Sequence, residues 1–284
     1  MARVNETLTE ATVTPSDVPD PLAMRLGRVA LSGFMRVFSI VLLLAAWEAL
    51  ARSGVFTHFQ LPAFSAVVAY IWNDGVSGDL WLNTALTLYR ALVAFGIAAL
   101  FGVAIGMAMS RSRIASWFFD PIVSVGFPMP KIAFLPVIIL WLGVYDVSKI
   151  TMAYFDAIFP VIAATVIAIG GVEKELIWSA RNMGASNREV LLHVVLPAAF
   201  PQIMTGLQVA LPLALIVTVV AEMLMGGYGL GGAMMTASRF ANSTGVFAGI
   251  VEIAVVGYCL VKAMALIRRR LLIWHPEAHE PSTV

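Results

Sequence analysis

Residues 171–197 read Gly171-Val-Glu-Lys-Glu-Leu-Ile-Trp-Ser-Ala-Arg-Asn-Met-Gly-Ala-Ser-Asn-Arg-Glu-Val-Leu-Leu-His-Val-Val-Leu-Pro197. The stretch is polar and charged, yet it keeps a helical pattern. Leu176, Ile177 and Ala180 fall on one face of a first short helix, and Val190, Leu191 and Val194 on one face of a second. Between them Gly184 suits a helix C-terminus, where a left-handed residue ends the ladder. Ser186 suits the next N-cap, and Glu189 three residues on completes a capping box. Pro197 suits a first helical turn, where its missing N–H is no loss. The stretch is longer than an ordinary connection between packed helices. The pattern predicts two short amphipathic helices around a Gly184-Ala185-Ser186 turn. From the residues alone two roles stay open: a linker lying on a membrane surface, or a rigid knob that a partner grips.

The sequence on either side is apolar. Of 284 residues 60% are hydrophobic and 12% charged, against about 45–50% and about 25% in a soluble domain. So few charges could not cover so much apolar surface in water. Six runs are long enough to span a bilayer, which takes about 20 residues. They cover Phe34–Ala51, Thr84–Met109, Phe118–Leu142 (interrupted by Pro128 and Pro130), Val147–Ile169, Ala198–Leu224 and Thr244–Ile267. Each should be a helix, because lipid offers no partner to unpaired backbone groups. The fold expected is all-α and polytopic, a transmembrane domain over 31–275 between a disordered tail at 1–30 and a short tail at 276–284. The first apolar run lies well behind the N-terminus, which suits an uncleaved span and not a signal peptide.

Lys and Arg in short loops set the orientation. One set of loops holds Arg25, Arg28, Arg36, Arg111, Arg113, Lys174, Arg181, Arg188 and Arg268-Arg269-Arg270, and the other Arg52, Lys149 and Arg239. The asymmetry predicts cytoplasmic termini and a cytoplasmic 171–197 segment. Arg268–Arg270, directly after the last span, suits an interfacial anchor or a lipid-headgroup contact.

Other classes are poorly served. A net charge of +1 gives no field for nucleic acid. The one cysteine, Cys259, allows no intrachain disulfide, and His58, His193, His275 and His279 are too scattered for a metal site. No phosphate loop of the Gly-x4-Gly-Lys-Ser/Thr kind and no nucleophile–base pair is present, so no catalysis by this chain is expected. The sequence has no internal repeat of the kind secondary transporters carry. A self-contained secondary transporter or channel remains the rival reading.

Ionisable residues inside spans are costly and therefore candidates for function. Lys131 falls half-way along the third span, beside two prolines that disrupt the helix. It could attract an anionic solute, or it could pair with Asp156 of the fourth span and lock two helices together. Arg90 and Glu48 could pair likewise. Lys262 can snorkel to the interface. Glu222, at the end of the fifth span, reads as a rim residue or as part of a gate. The run Gly96, Ala98, Ala99, Gly102, Ala104, Gly106 and Ala108 suits close helix packing. Gly226, Gly227, Gly229, Gly231 and Gly232 read as a flexible loop outside the membrane.

The spacing Ala180-x3-Gly184-x9-Val194-x-Leu196-Pro197 resembles the coupling-loop signature of binding-protein-dependent ABC importer permeases, Glu-Ala-Ala-x3-Gly-x9-Ile-x-Leu-Pro. Val194 stands where the family has Ile, and Trp178 and Ser179 where it often has Glu and Ala. The stretches Pro128–Gly143 and Leu211–Gly231 are similar to the nitrate/sulfonate/taurine branch, and the resemblance runs from about Leu80 to Ile267. It implies a type I importer permease in the cell inner membrane, carrying a small anion such as a sulfonate, taurine or nitrate, or alternatively a vitamin or pyrimidine precursor. It implies a second permease copy, two cytoplasmic ATPase subunits using ATP and Mg, and a periplasmic or lipid-anchored binding protein. It places the ATPase contact at Ala180, Gly184, Ala185, Ser186, Val194, Leu196 and Pro197, and no cofactor on this chain. Pro128, Pro130, Lys131, Asp156 and Glu222 are the residues expected along the solute path.

Overall fold

The computed structural model describes residues 38–274. The expected tails, and the beginning of the first span at Phe34, lie outside the described residues. Residues up to Phe56 and residues from Thr57 onward form separate units. In the first, helix α1 covers 38–52, and Glu48 accepts from Arg52 one turn on at 2.6 Å.

The second unit is helical throughout its described length. In order come α2 (Phe64–Ser77), α3 (Asp79–Arg111), α4 (Arg113–Gly126), a 3-10 turn (Lys131–Phe134), α5 (Leu135–Leu142) and α6 (Asp146–Gly170). Then follow α7 (Lys174–Asn182), α8 (Asn187–Glu189), a π-helical turn (Val190–Val195), α9 (Leu196–Met225), α10 (Leu230–Arg239) and α11 (Ser243–Leu271). Among the described residues four stretches are long and apolar enough to cross a membrane: α3, α6, the run from α8 to α10, and α11. The pair α4–α5, bent by 93°, would make a fifth. The expected boundaries of the second, fourth, fifth and sixth spans lie within five residues of the observed helices. Helices α2 and α10 were not foreseen, since both are short and carry no long apolar run.

The core is the packing of α3, α6 and α9. Ala91, Ala94, Ala98, Gly102 and Gly106 line one face of α3 and are buried, recurring every three or four residues as a helix face must. A Cβ on Gly102 would stand 2.8 Å from Val161, and one on Gly106 2.6 Å from Thr165. Closely approached backbones of this kind are how helices associate in lipid, where apolar burial gives no drive. The expected small-residue stripe is therefore half right, because Ala104 and Ala108 are exposed on the opposite face.

The sharp bend between α4 and α5 has a local cause. Pro128 and Pro130 remove two backbone donors and forbid a continuous ladder. Pro130 holds an extended ψ of 97° before the 3-10 turn begins. Pro136 in the first turn of α5 suits the restart.

Candidate functional site

Residues 171–197 fold as a handle on the end of the bundle where α6 finishes and α9 begins. Helix α7 ends in a Schellman motif: the N–H of Gly184 donates to Arg181 O at 2.9 Å and that of Ala185 to Ala180 O at 3.1 Å. Gly184 holds φ at 88°, a conformation that costs any residue with a Cβ roughly 1–2 kcal/mol. Ser186 then accepts from the Glu189 N–H, and the Glu189 carboxylate accepts from the Ser186 N–H at 2.7 Å. These two bonds complete the capping box, and they hold the exposed Glu189 carboxyl below its ordinary pKa.

Ala180, Val190 and Val195 pack with Ala168, Ile169, Ala199 and Ile203, so the handle is seated on α6 and α9. Ile177, Ala185 and Val194 are partly buried against the same cluster. Leu176, expected on the packed face, is 45% exposed. The second short helix is not separate: α8 runs through the π turn into α9. Pro197 offers no N–H to residue 193 and would crowd its carbonyl in an α-helix; a π turn widens the ladder there. The wider turn carries Val195 inward beside Val190. Leu196 and Pro197 open α9, with Leu196 half-buried and Pro197 exposed. Facing away from the bundle are Trp178, Met183 and Leu192, all more than half exposed. Arg111 of α3 reaches the carbonyl of Asn187 at 3.3 Å, a further tie between handle and bundle.

At the bend, Lys131 and Asp156 do meet, Nζ to carboxylate at 3.2 Å. Lys131 also donates to Phe127 O at 2.9 Å and lies 5.0 Å from the centre of the Phe159 ring. Beside them is a cavity of about 540 Å³ whose walls include Ile122, Phe134, Trp141, Met152, Phe155 and Phe159. Its lining is apolar apart from Lys131, whose ammonium is already held by a carboxylate, a carbonyl and a ring. Pro128 and Pro130 are exposed.

The opposite end of the bundle holds a buried polar network that the sequence reading did not assemble. Arg90 of α3 pairs with Glu222 of α9 at 2.5 Å and with Asp146 of α6 at 2.7 Å. Glu222 is not a rim residue: it is wholly buried and also accepts from Thr87 at 2.9 Å and from the Gly231 N–H at 3.1 Å. The same network grips the turn leading into α10. Arg90 donates to Tyr228 O, Lys149 to Gly226 O, the Gly229 N–H to Asn83 and the Leu230 N–H to Thr87. The glycines expected to form a flexible loop are therefore fixed, and Gly231 and Gly232 are buried inside α10. At Gly229, with φ at 125°, a Cβ would collide with the Glu222 carboxylate. Lys149, expected as a loop cation, is 3% exposed. One signal was available: Asn83, Thr87 and Arg90, spaced four and three, put a polar stripe on one face of an apolar helix.

A family model described as "Binding-protein-dependent transport system inner membrane component" matches residues 98–273. The chain belongs to this family. It is 31% identical over 248 residues to the taurine transport system permease protein TauC of Escherichia coli (strain K12), covering 86% of this chain and 90% of that one. It is 33% identical over 232 residues to the putative aliphatic sulfonates transport permease protein SsuC of Bacillus subtilis (strain 168), covering 82% and 84%. In fold this permease is similar to a chain of a crystal structure of an amino acid ABC transporter, with a TM-score of 0.60 at 17% identity over 73% of this chain and 98% of that one. The chain is thus an ABC importer permease, a multi-pass membrane protein of a family whose members move small solutes. The handle at 171–197 and most of the polar network lie inside the matched region, while Asn83, Thr87 and Arg90 precede it.

Proposed function

We propose that this permease carries a small sulfonate, with taurine and short aliphatic sulfonates as the first candidates, and that a separate ATPase drives it through residues 171–197. The substrate reading is carried by one observation: two relatives covered over more than four-fifths of both chains are permeases named for taurine and for aliphatic sulfonates. The ATPase contact is supported by the handle's construction. Caps at Gly184 and Ser186 fix its shape, Ala180 and Val195 anchor it, and Trp178, Met183 and Leu192 remain exposed for a partner. A rigid handle passes a push from its partner to α6 and α9, which a flexible linker would absorb.

In this reading Ala180, Gly184, Ala185, Ser186, Val194, Leu196 and Pro197 shape the handle. The handle and the termini are cytoplasmic, in line with the cluster of Arg111, Arg113, Lys174, Arg181 and Arg188 at that end. Lys131 and Asp156 neutralise each other and hold the α4–α5 bend, with Pro128 and Pro130 as its cause. Two copies of the chain enclose the path, a binding protein delivers solute, and ATP and Mg act in the ATPase subunits. The test is uptake of labelled taurine and ethanesulfonate by cells lacking other sulfonate importers and expressing the whole system. Uptake that needs ATP and is lost on Trp178→Ala with Met183→Ala supports the reading. Absence of uptake of both sulfonates overturns the substrate, and uptake without an ATPase overturns the mechanism.

A further inference from the structure

Lys149 differs from Arg90, the buried cation beside it. It is 3% exposed, and its hydrogen bond is to a backbone carbonyl, Gly226 O at 2.7 Å. Arg90, its neighbour, is engaged by Glu222, Asp146 and Tyr228 O. Among the described residues no carboxylate forms an ion pair with Lys149. An ammonium has three donors, and burying one is costly unless something compensates it; the Glu222 and Asp146 carboxylates act on Lys149 electrostatically without bonding it, and both are held by Arg90. Lys149 also lies at the floor of a cleft of about 400 Å³ between the first turn of α6 and the 226–228 turn. The cleft's rim is exposed: Val144, Tyr145, Val147 and Tyr228 are each more than half accessible. A buried ammonium whose hydrogen bond goes to a carbonyl, beside Arg90 at an open cleft, has the chemistry of an anion site.

We propose that this cleft receives the acid group of the solute, with one acid oxygen accepting from Lys149 Nζ in place of Gly226 O. Gly226 and Gly227, at φ 74° and 87°, belong to the same turn that Arg90, Asn83 and Thr87 hold. Taking Lys149 from Gly226 O removes one of the bonds that close this turn over the bundle. Arrival of the anion and release of the turn thereby become one event, a differential interaction of ligand with two states of the protein. Asp146 also lines the cleft and is half-exposed, but its Oδ1 is held by Arg90 Nε and Nη2, so the acid group meets the cleft on the Lys149 side. A neutral solute would gain nothing from the exchange. The proposal rests on the sulfonate reading above and names the group that meets the acid.

The test is equilibrium dialysis of labelled ethanesulfonate against the purified full-length chain in lipid nanodiscs, alongside cellular uptake. A charge-assisted hydrogen bond contributes about ten- to a hundredfold in affinity. Lys149→Gln keeps a donor for Gly226 O but loses the charge. It should weaken ethanesulfonate at least about tenfold, Lys149→Arg should restore most of the loss, and the neutral ethanesulfonamide should bind at least about tenfold more weakly than ethanesulfonate to the unaltered chain. Equal binding of the charged and neutral probes would overturn the site even if neither variant folds. Uptake without Lys149-dependent binding overturns the site and leaves the sulfonate reading standing. Lys149-dependent binding without sulfonate uptake overturns the sulfonate reading instead.

Discussion

The two ends of this permease solve the problem of unpaired polar groups in opposite ways. At the 171–197 end the polar groups are local and solvated: Ser186 and Glu189 bond each other three residues apart, and Gly184 closes its own helix. At the 226–231 end they are remote and buried: Arg90 reaches Glu222 across 132 residues of sequence, and Thr87 reaches it across 135. Solvated caps cost little to break and can be regripped by a partner. Buried networks are costly to leave half-made. The difference suits the proposed roles, a handle that docks and releases at one end and a turn freed as a unit at the other.

The largest effect is expected at Arg90. Arg90→Met strands the wholly buried Glu222 and should cost about 3–5 kcal/mol, while Arg90→Met with Glu222→Met should recover much of that loss. Thermal denaturation of the three proteins in nanodiscs checks it; a double variant no more stable than the single one would deny the pairing. Next in size is Gly229→Ala, where a Cβ meets the Glu222 carboxylate. It should lower stability by about 1–3 kcal/mol, and Gly229→Ala with Glu222→Ala should not add to the cost of Glu222→Ala alone.

At the other end the effects shrink and stay local. Ser186→Ala should cost about 1 kcal/mol, seen as faster amide exchange across 184–190 with the exchange of α3 and α6 unchanged. Spread of that loss into the bundle would contradict the picture of a self-contained cap. The smallest effect is with pH. The folded pKa of Glu189 lies below its ordinary 4.5 because the carboxylate accepts from the Ser186 N–H. Its contribution is present above pH 4.5 and is lost as pH falls through the folded value. Corrected for the intrinsic pH dependence of amide exchange, protection at Ser186 should therefore fall as the pH drops through the folded value, below 4.5, in the unaltered chain and show no such step in Glu189→Gln.

The same contrast explains what was legible in the sequence. The capping box and the Gly184 terminus are built from neighbours, so spacing alone exposed them. The four long spans were legible because a bilayer demands apolar length. The Arg90–Glu222–Asp146 network was not, because its members come from three helices and only their packing brings Glu222 and Asp146 to Arg90. The Lys131–Asp156 pair could be anticipated because the two residues stand on consecutive spans at matching depth. The merging of the second short helix into α9 was missed because a π turn leaves no simple periodic trace. Val195 falls off the α-helical face that Val190, Leu191 and Val194 suggest.

If residues 171–197 take the proposed push from an ATPase, they face the compartment in which ATP is hydrolysed. Met183 is 80% exposed beside the Gly184 turn, so Met183→Cys in a Cys259→Ser background gives a single reporter thiol. A membrane-impermeant maleimide should leave it unlabelled in intact cells, label it once the cells are opened, and be blocked there by the assembled ATPase. Labelling in intact cells would contradict the account.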